Sequence, residues 1–200
     1  MIPMQSSNFS IKSSDANHFD LTTSEWIQRL TDGLLTKTNW EQIDSLSYDL
    51  LSTEGKRETA IQFLQNIFGT TPKRPLYYLD MDIEGLPEKT RYVVENAGHF
   101  VDVLIKHCSH QLGKFHVLAM HASLGSNIKR LRKVLPDALL QNLNLFNDLF
   151  YIPAKHEWDV GDRPHLFSVK ETIICLFIAR HLADQILNTS AEARIWTKSQ

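Results

Sequence analysis

Seven side chains able to move protons or hold charge fall within eleven positions: Lys155, His156, Glu157, Asp159, Asp162, Arg163 and His165. A histidine titrates near neutrality and can take or give a proton, while a lysine or arginine beside it can hold charge that builds on a phosphate. Pro153, Gly161 and Pro164 interrupt helical hydrogen bonding. The stretch from Asn147 to Ser168 therefore reads as a loop fixed at both ends by core helices, where binding and catalytic residues concentrate. The competing reading is a solvated connection whose charges face water.

A second group of chemistry-bearing residues is the run Ile128-Lys129-Arg130-Leu131-Arg132-Lys133-Val134-Leu135. At helical spacing Ile128, Leu131, Val134 and Leu135 share one side, and Lys129, Arg130, Arg132 and Lys133 spread over the other. Four cations in a turn and a half can grip two or three phosphates, or form an ordinary wet face. A third group lies on one helix face, where Glu95 precedes His99 by four residues and Lys106 precedes His110 by four. Such neighbours can share a metal ion. No His-Glu-x-x-His motif accompanies them, the alternative is a solvated helix face, and no metal or cofactor is assigned.

The elements that must position these groups are helices. A first helix is expected from Thr23-Ser24, carrying Trp26, Ile27, Leu30 and Leu34. Asn39 reads as an N-cap for a second, with Trp40, Ile43, Leu46 and Leu50 on one face, and a third spans about Lys56 to Phe68. Pro72, Pro75, Gly85 and Pro87 exclude a long helix from 69 to 87, and Leu76 to Ile83 is expected to run extended. A helix from Glu88 to about Leu112 places Val93, Val94, Ala97, Phe100, Val101, Leu104, Ile105 and Cys108 on one apolar arc, with Asp102 on the polar one. Ser123 to Asn127 reads as punctuation before the basic helix. Pro136 opens another helix, with Leu139, Leu140, Leu143 and Phe146 as its stripe. Ser168 with Glu171 reads as a capping box for a helix to about Leu187, apolar around most of its circumference. Arg180 on that helix needs an acid such as Asp184.

Two hundred residues with 42% hydrophobic content support a compact core, and a formal charge of −2 excludes coating of nucleic acid by bulk charge. Cys108 and Cys175 both lie in apolar helical settings, which suits reduced thiols and a cytoplasmic protein. The longest apolar run, Ile173 to Ala179, is far short of the ~20 residues of a membrane span. No signal peptide or membrane association is expected.

From about Glu88 to Leu187 the sequence resembles the HEPN superfamily of small all-α prokaryotic proteins. The resemblance rests on a helix ending in the Asn147 to His156 segment, a short loop, and Phe167-Ser168-Val169-Lys170-Glu171 opening a long apolar helix that ends Leu182-Ala183-Asp184-Gln185-Ile186-Leu187. It implies an up-and-down helical bundle, a homodimer, and a role as toxin or in phage defence through metal-independent RNA cleavage. The family motif is an Arg, a polar residue, four to six residues, and a His. His156 matches the His and Asn147 the polar residue, but Phe146 stands where the Arg belongs, and eight residues separate Asn147 from His156. The cation that would steady the phosphate is missing from its place.

The expected organisation is an all-α helical bundle. It has a tail over 1–22, an N-terminal three-helix segment over 23–68, an irregular linker over 69–87, an HEPN-like up-and-down bundle over 88–188, and a tail over 189–200. The favoured function is non-catalytic binding of RNA or a protein partner in a prokaryotic defence or toxin–antitoxin setting. The alternative is a metal-independent endoribonuclease using His156, with Lys155, Asn147 and Arg163. Convergence of Lys155, His156, Arg163 and the basic helix on one cleft would favour the enzyme.

Overall fold

A computed structural model of the chain describes residues 34–68, 83, 85–111, 122–155 and 166–198. The expected first helix, the tail before it, the extended run to 82 and the centre of the reactive loop, with His156 and Arg163, lie outside these residues. Every described element is helical, as expected, and no strand occurs among them. In chain order they are α1 (Lys37–Leu50), α2 (Glu54–Phe68), α3 (Thr90–Gln111) and α4 (Leu124–Arg130), the last followed by a 3-10 turn (Leu131–Lys133). Helix α5 begins as Asp137–Phe146 and continues through a π turn (Asn147–Tyr151) into a final α turn (Ile152–Lys155). Helix α6 is Val169–Lys198.

Helix α6 is the axis of the bundle. Thr172 to Ala179 are all buried without a break, more than two turns with no solvent face. Helices α1, α3 and α5 all pack against it, α3 most extensively. Helix α3 contributes the expected arc: Val93, Val94, Ala97, Phe100, Val101, Leu104 and Ile105 are buried. Burying each large apolar side chain is worth about 1.5–3 kcal/mol. Phe68, at the end of α2, meets Phe177 edge to face at 5.1 Å. Cys175 is buried and unpaired, and burial pushes its thiol well above the ordinary range, so it is no nucleophile.

The ends of the helices show which local signals ruled. The capping box at Ser168 is formed: Glu171 N–H donates to Ser168 Oγ at 3.1 Å, and Ser168 N–H donates to Glu171 Oε2 at 2.7 Å. For α1, Thr36 is the N-cap and Asn39 is not. Asn39 N–H donates to Thr36 Oγ1, and Thr36 N–H donates back to Asn39 Oδ1, so asparagine fills the place usually held by Glu or Gln. Ser123 likewise caps α4, accepting from Ser126 N–H, so Ser123 to Asn127 starts a helix where punctuation was expected. At the far end α6 does not stop near Leu187 but runs on to Lys198 through the stretch read as a tail. Ala191-Glu192-Ala193-Arg194 are strong helix formers and outweigh Asn188-Thr189-Ser190.

Helix α1 lies antiparallel to α6, held by two polar contacts. Lys170 Nζ reaches Asp44 Oδ1 at 2.6 Å, and His181 Nε2 stands 3.3 Å from Asn39 Oδ1. Because that oxygen only accepts, Nε2 carries the proton and donates. Desolvation, ahead of the opposing effects of Asp184 and Arg180, lowers the His181 pKa from its ordinary 6.5. A histidine with a depressed folded pKa contributes stability that is complete above pH 6.5 and lost as pH falls through the folded value. His181→Gln is therefore expected to flatten the fall in stability below pH 6.5 relative to the parent. Urea titrations across that range, with parallel curves for the two proteins as the contrary result, check this.

Candidate functional site

Two adjacent residues at the start of α3 hold both edges of the reactive stretch. Thr90 Oγ1 donates to the Phe167 carbonyl at 2.8 Å, and Arg91 Nε donates to the Ala154 carbonyl at 2.7 Å. The last turn of α5 and the entry to α6 are therefore fixed to one point on α3. An arginine in the first turn of a helix sits against the dipole, and that misfit was the available signal that Arg91 serves another element. Before it, Arg57 on α2 pairs with Glu88, whose carboxyl this bond holds below the usual carboxylate range.

The stretch from Asn147 to Lys155, which its reactive residues and Pro153 mark as loop but in which the HEPN resemblance has a helix end, is helix throughout. Pro153 would collide with the carbonyl four residues earlier in a regular α-helix, and the wider π turn just before it relieves that clash. Phe150 is buried between Phe146 at 5.9 Å and Phe167 at 6.4 Å, which ties the π turn to the core. Asn147 is buried, donates from Nδ2 to Asp148 Oδ1 at 3.0 Å, and packs beneath Gly125 of α4. Lys155 is exposed, with Nζ 5.4 Å from the centre of the Tyr151 ring. Asn147 and Lys155 are about 12 Å apart along the helix, at ~1.5 Å per residue. The structure does not gather them at one reacting centre, and His156 and Arg163 lie outside the described residues.

Tyr151 lies flat on α3 at Gly98, where a Cβ would overlap its ring. Burial first, then the Asp102 and Glu95 carboxylates, push its phenol above the ordinary range. It does not ionise near neutrality. Asp102 was placed on the wet arc but is buried, with Lys106 Nζ at 2.5 Å from Oδ2. Glu95 and His99 are exposed, and no group of three metal-ligating side chains occurs among the described residues. Arg180 meets Asp184 at 3.7 Å on the partly exposed side of α6, so the expected pairing forms outside the core.

The basic run is split between two kinds of helix. Lys129 and Arg130 close α4, Arg132 and Lys133 lie on the 3-10 turn, and all four are exposed. Ile128 and Leu131 anchor the segment in the core. Among the described residues no carboxylate lies within ion-pair distance of Lys129, Arg132 or Lys133. Beside this ridge is a cleft of about 330 Å³ lined by Ile128, Lys129, Arg132, Asp137, Leu140, Gln141 and Asn144. Lys155 is not part of it. Asp137, Gln141 and Asn144 were missed by sequence reasoning, although with Leu140 they recur at helical spacing three residues beyond the cations.

No known protein family, curated protein or solved structure matches the chain at significant similarity.

The close seat of Tyr151 on Gly98 fixes how α5 approaches α3. Gly98→Ala is expected to destabilise the protein by about 1–3 kcal/mol, because the ring must shift out of a packed position. Gly55, near the start of α2, has open space around it, so Gly55→Ala is expected to stabilise by up to about 1 kcal/mol. Urea midpoints moving in opposite directions for the two variants bear this out; a rise for both contradicts it.

Proposed function

We propose that the protein is a non-catalytic RNA-binding helical protein of HEPN-like type, working in a prokaryotic defence or toxin–antitoxin setting. The observation that carries this reading is the ridge of four exposed cations, Lys129, Arg130, Arg132 and Lys133, in a chain of net charge −2. A local positive patch on a weakly acidic protein attracts phosphates at one place and not everywhere. At the end of a helix such cations also complement the dipole, but four exceed what one helix end requires. The setting follows from the HEPN resemblance. A second copy of the chain or an associated enzyme is the protein partner that resemblance implies.

The non-catalytic part of the reading rests on what surrounds the candidate groups. The Arg of the HEPN motif is replaced by Phe146, which is buried, and Asn147 is turned into the core with its amide bonded to Asp148. Neither faces a phosphate. One observation favours the enzyme instead: Arg91 brings a guanidinium to the Ala154 carbonyl, two residues before His156. That bond spends one of its donors on backbone, leaving it a poorer clamp for a phosphate in transit.

Binding of a single-stranded RNA, followed by fluorescence anisotropy over a salt series, is expected to weaken steeply with salt. With two or three phosphates gripped, log K against log salt should fall with a slope of about −1.4 to −2.1 from these cations. Replacing all four by alanine should remove that contribution. End-labelled RNA incubated with the parent and a chelator should stay intact. An unchanged slope in the fourfold variant, or chelator-resistant cleavage that disappears in His156→Ala, would overturn the proposal.

A further inference from the structure

We infer that the cleft between α4 and α5 is a pocket for one unpaired ribonucleotide. This rests on the RNA-binding reading and names the form of RNA recognised. Its volume of about 330 Å³ lies at the small end of the range for small-molecule sites, ~300–1,000 Å³. It has room for a single nucleotide and none for a duplex. The floor is aliphatic: Ile128 is 1% exposed and Leu140 7%. Such a floor takes the flat face of a base but offers nothing to a bare anion.

The walls divide by chemistry. Lys129 and Arg132 stand on the α4 side as phosphate partners, while Asp137, Gln141 and Asn144 stand on one face of α5. The two amides each donate and accept, which is what the Watson–Crick edge of a base requires, and in a duplex that edge is already occupied. The Asp137 carboxylate accepts only, so it suits a ribose hydroxyl or an exocyclic amine and disfavours phosphate. A carboxylate among cations would spoil a site for inorganic phosphate or a duplex backbone. It fits a ligand that carries an anion at one end and hydroxyl or amine donors at the other. A free mononucleotide and an unpaired nucleotide within a strand both present that chemistry.

The test uses the intact chain and a labelled single-stranded oligoribonucleotide, with an unlabelled duplex of the same sequence and a 5′-mononucleotide as competitors. The single strand is expected to bind at least about tenfold more tightly than the duplex. Gln141→Ala and Asn144→Ala should each weaken it about fivefold, the loss of one neutral hydrogen bond, without changing the salt slope. Both residues are exposed, so folding is unaffected, and circular dichroism verifies it. Lys37→Ala, an exposed cation on α1, should leave binding unchanged. Displacement by the mononucleotide assigns the pocket to free nucleotides, and resistance to it assigns the pocket to a strand. Equal binding of duplex and single strand with both amide variants behaving as the parent overturns the pocket but leaves the basic surface standing. No RNA binding at all overturns the pocket and the RNA-binding reading together.

Discussion

Helix α6 can be buried only by being surrounded. From Thr172 to Ala179 it has no solvent face, and the apolar run Ile173 to Ala179 left exposed on any side would forfeit several side chains' worth of burial, each about 1.5–3 kcal/mol. The neighbours α1, α3 and α5 each cover part of its circumference. Most of their polar groups lie on the outer faces and at the helix ends, with Ser47, Asp102 and Asn147 as buried exceptions. Thr172 fits this interior because its hydroxyl donates to the Ser168 carbonyl at 2.9 Å.

Packing likewise decides what the remaining residues can do. The end of α5 turns inward onto α3, with Phe146, Phe150, Tyr151 and Asn147 buried along it. The same packing that makes the π turn stable takes Asn147 out of reach of a ligand. Helix α4 and its 3-10 turn, by contrast, pack chiefly on α5 at the margin of the bundle. Leu124, Asn127, Ile128 and Leu131 are claimed by the core, and Lys129 and Arg132 line a cleft beside it. The end of α5 is thus committed to packing, while Lys129, Arg132 and Lys133 are exposed with no carboxylate within ion-pair distance among the described residues.

The fold was legible wherever apolar residues recur at helical spacing. The all-round apolar pattern of α6, the arc on α3 and the Ser168 capping box appear in the structure as the sequence implied. Three things escaped the pattern. The helical character of Asn147 to Lys155 was hidden by Pro153, because a π turn can absorb a proline that a regular helix would reject. The cap at Thr36 escaped because Asn39 is itself a good capping type, and the cap at Ser123 because Gly125 and its polar neighbours read as punctuation; only the geometry tells which hydroxyl or amide accepts. Asp102 was sorted to the wet face because a helical wheel knows nothing of Tyr151, which covers that side of α3 from another helix. Of the candidate site, the cations could be read from their run. Gln141 and Asn144 could not, since polar residues on one face of a helix normally mean only solvent, and it is the neighbouring α4 that makes a cleft of them.

The proposed site places RNA at the α4 ridge and its cleft. Amide hydrogen exchange of the intact chain, with and without a saturating single-stranded RNA, tests it most directly. Slowed exchange is expected across residues 124–144, with the turn at 152–155 and the α6 entry at 166–168 unchanged. Protection confined to 152–155 and 166–168, with 124–144 exchanging as in the free protein, would place the RNA beside the end of α5 and rule out the α4 ridge as its site.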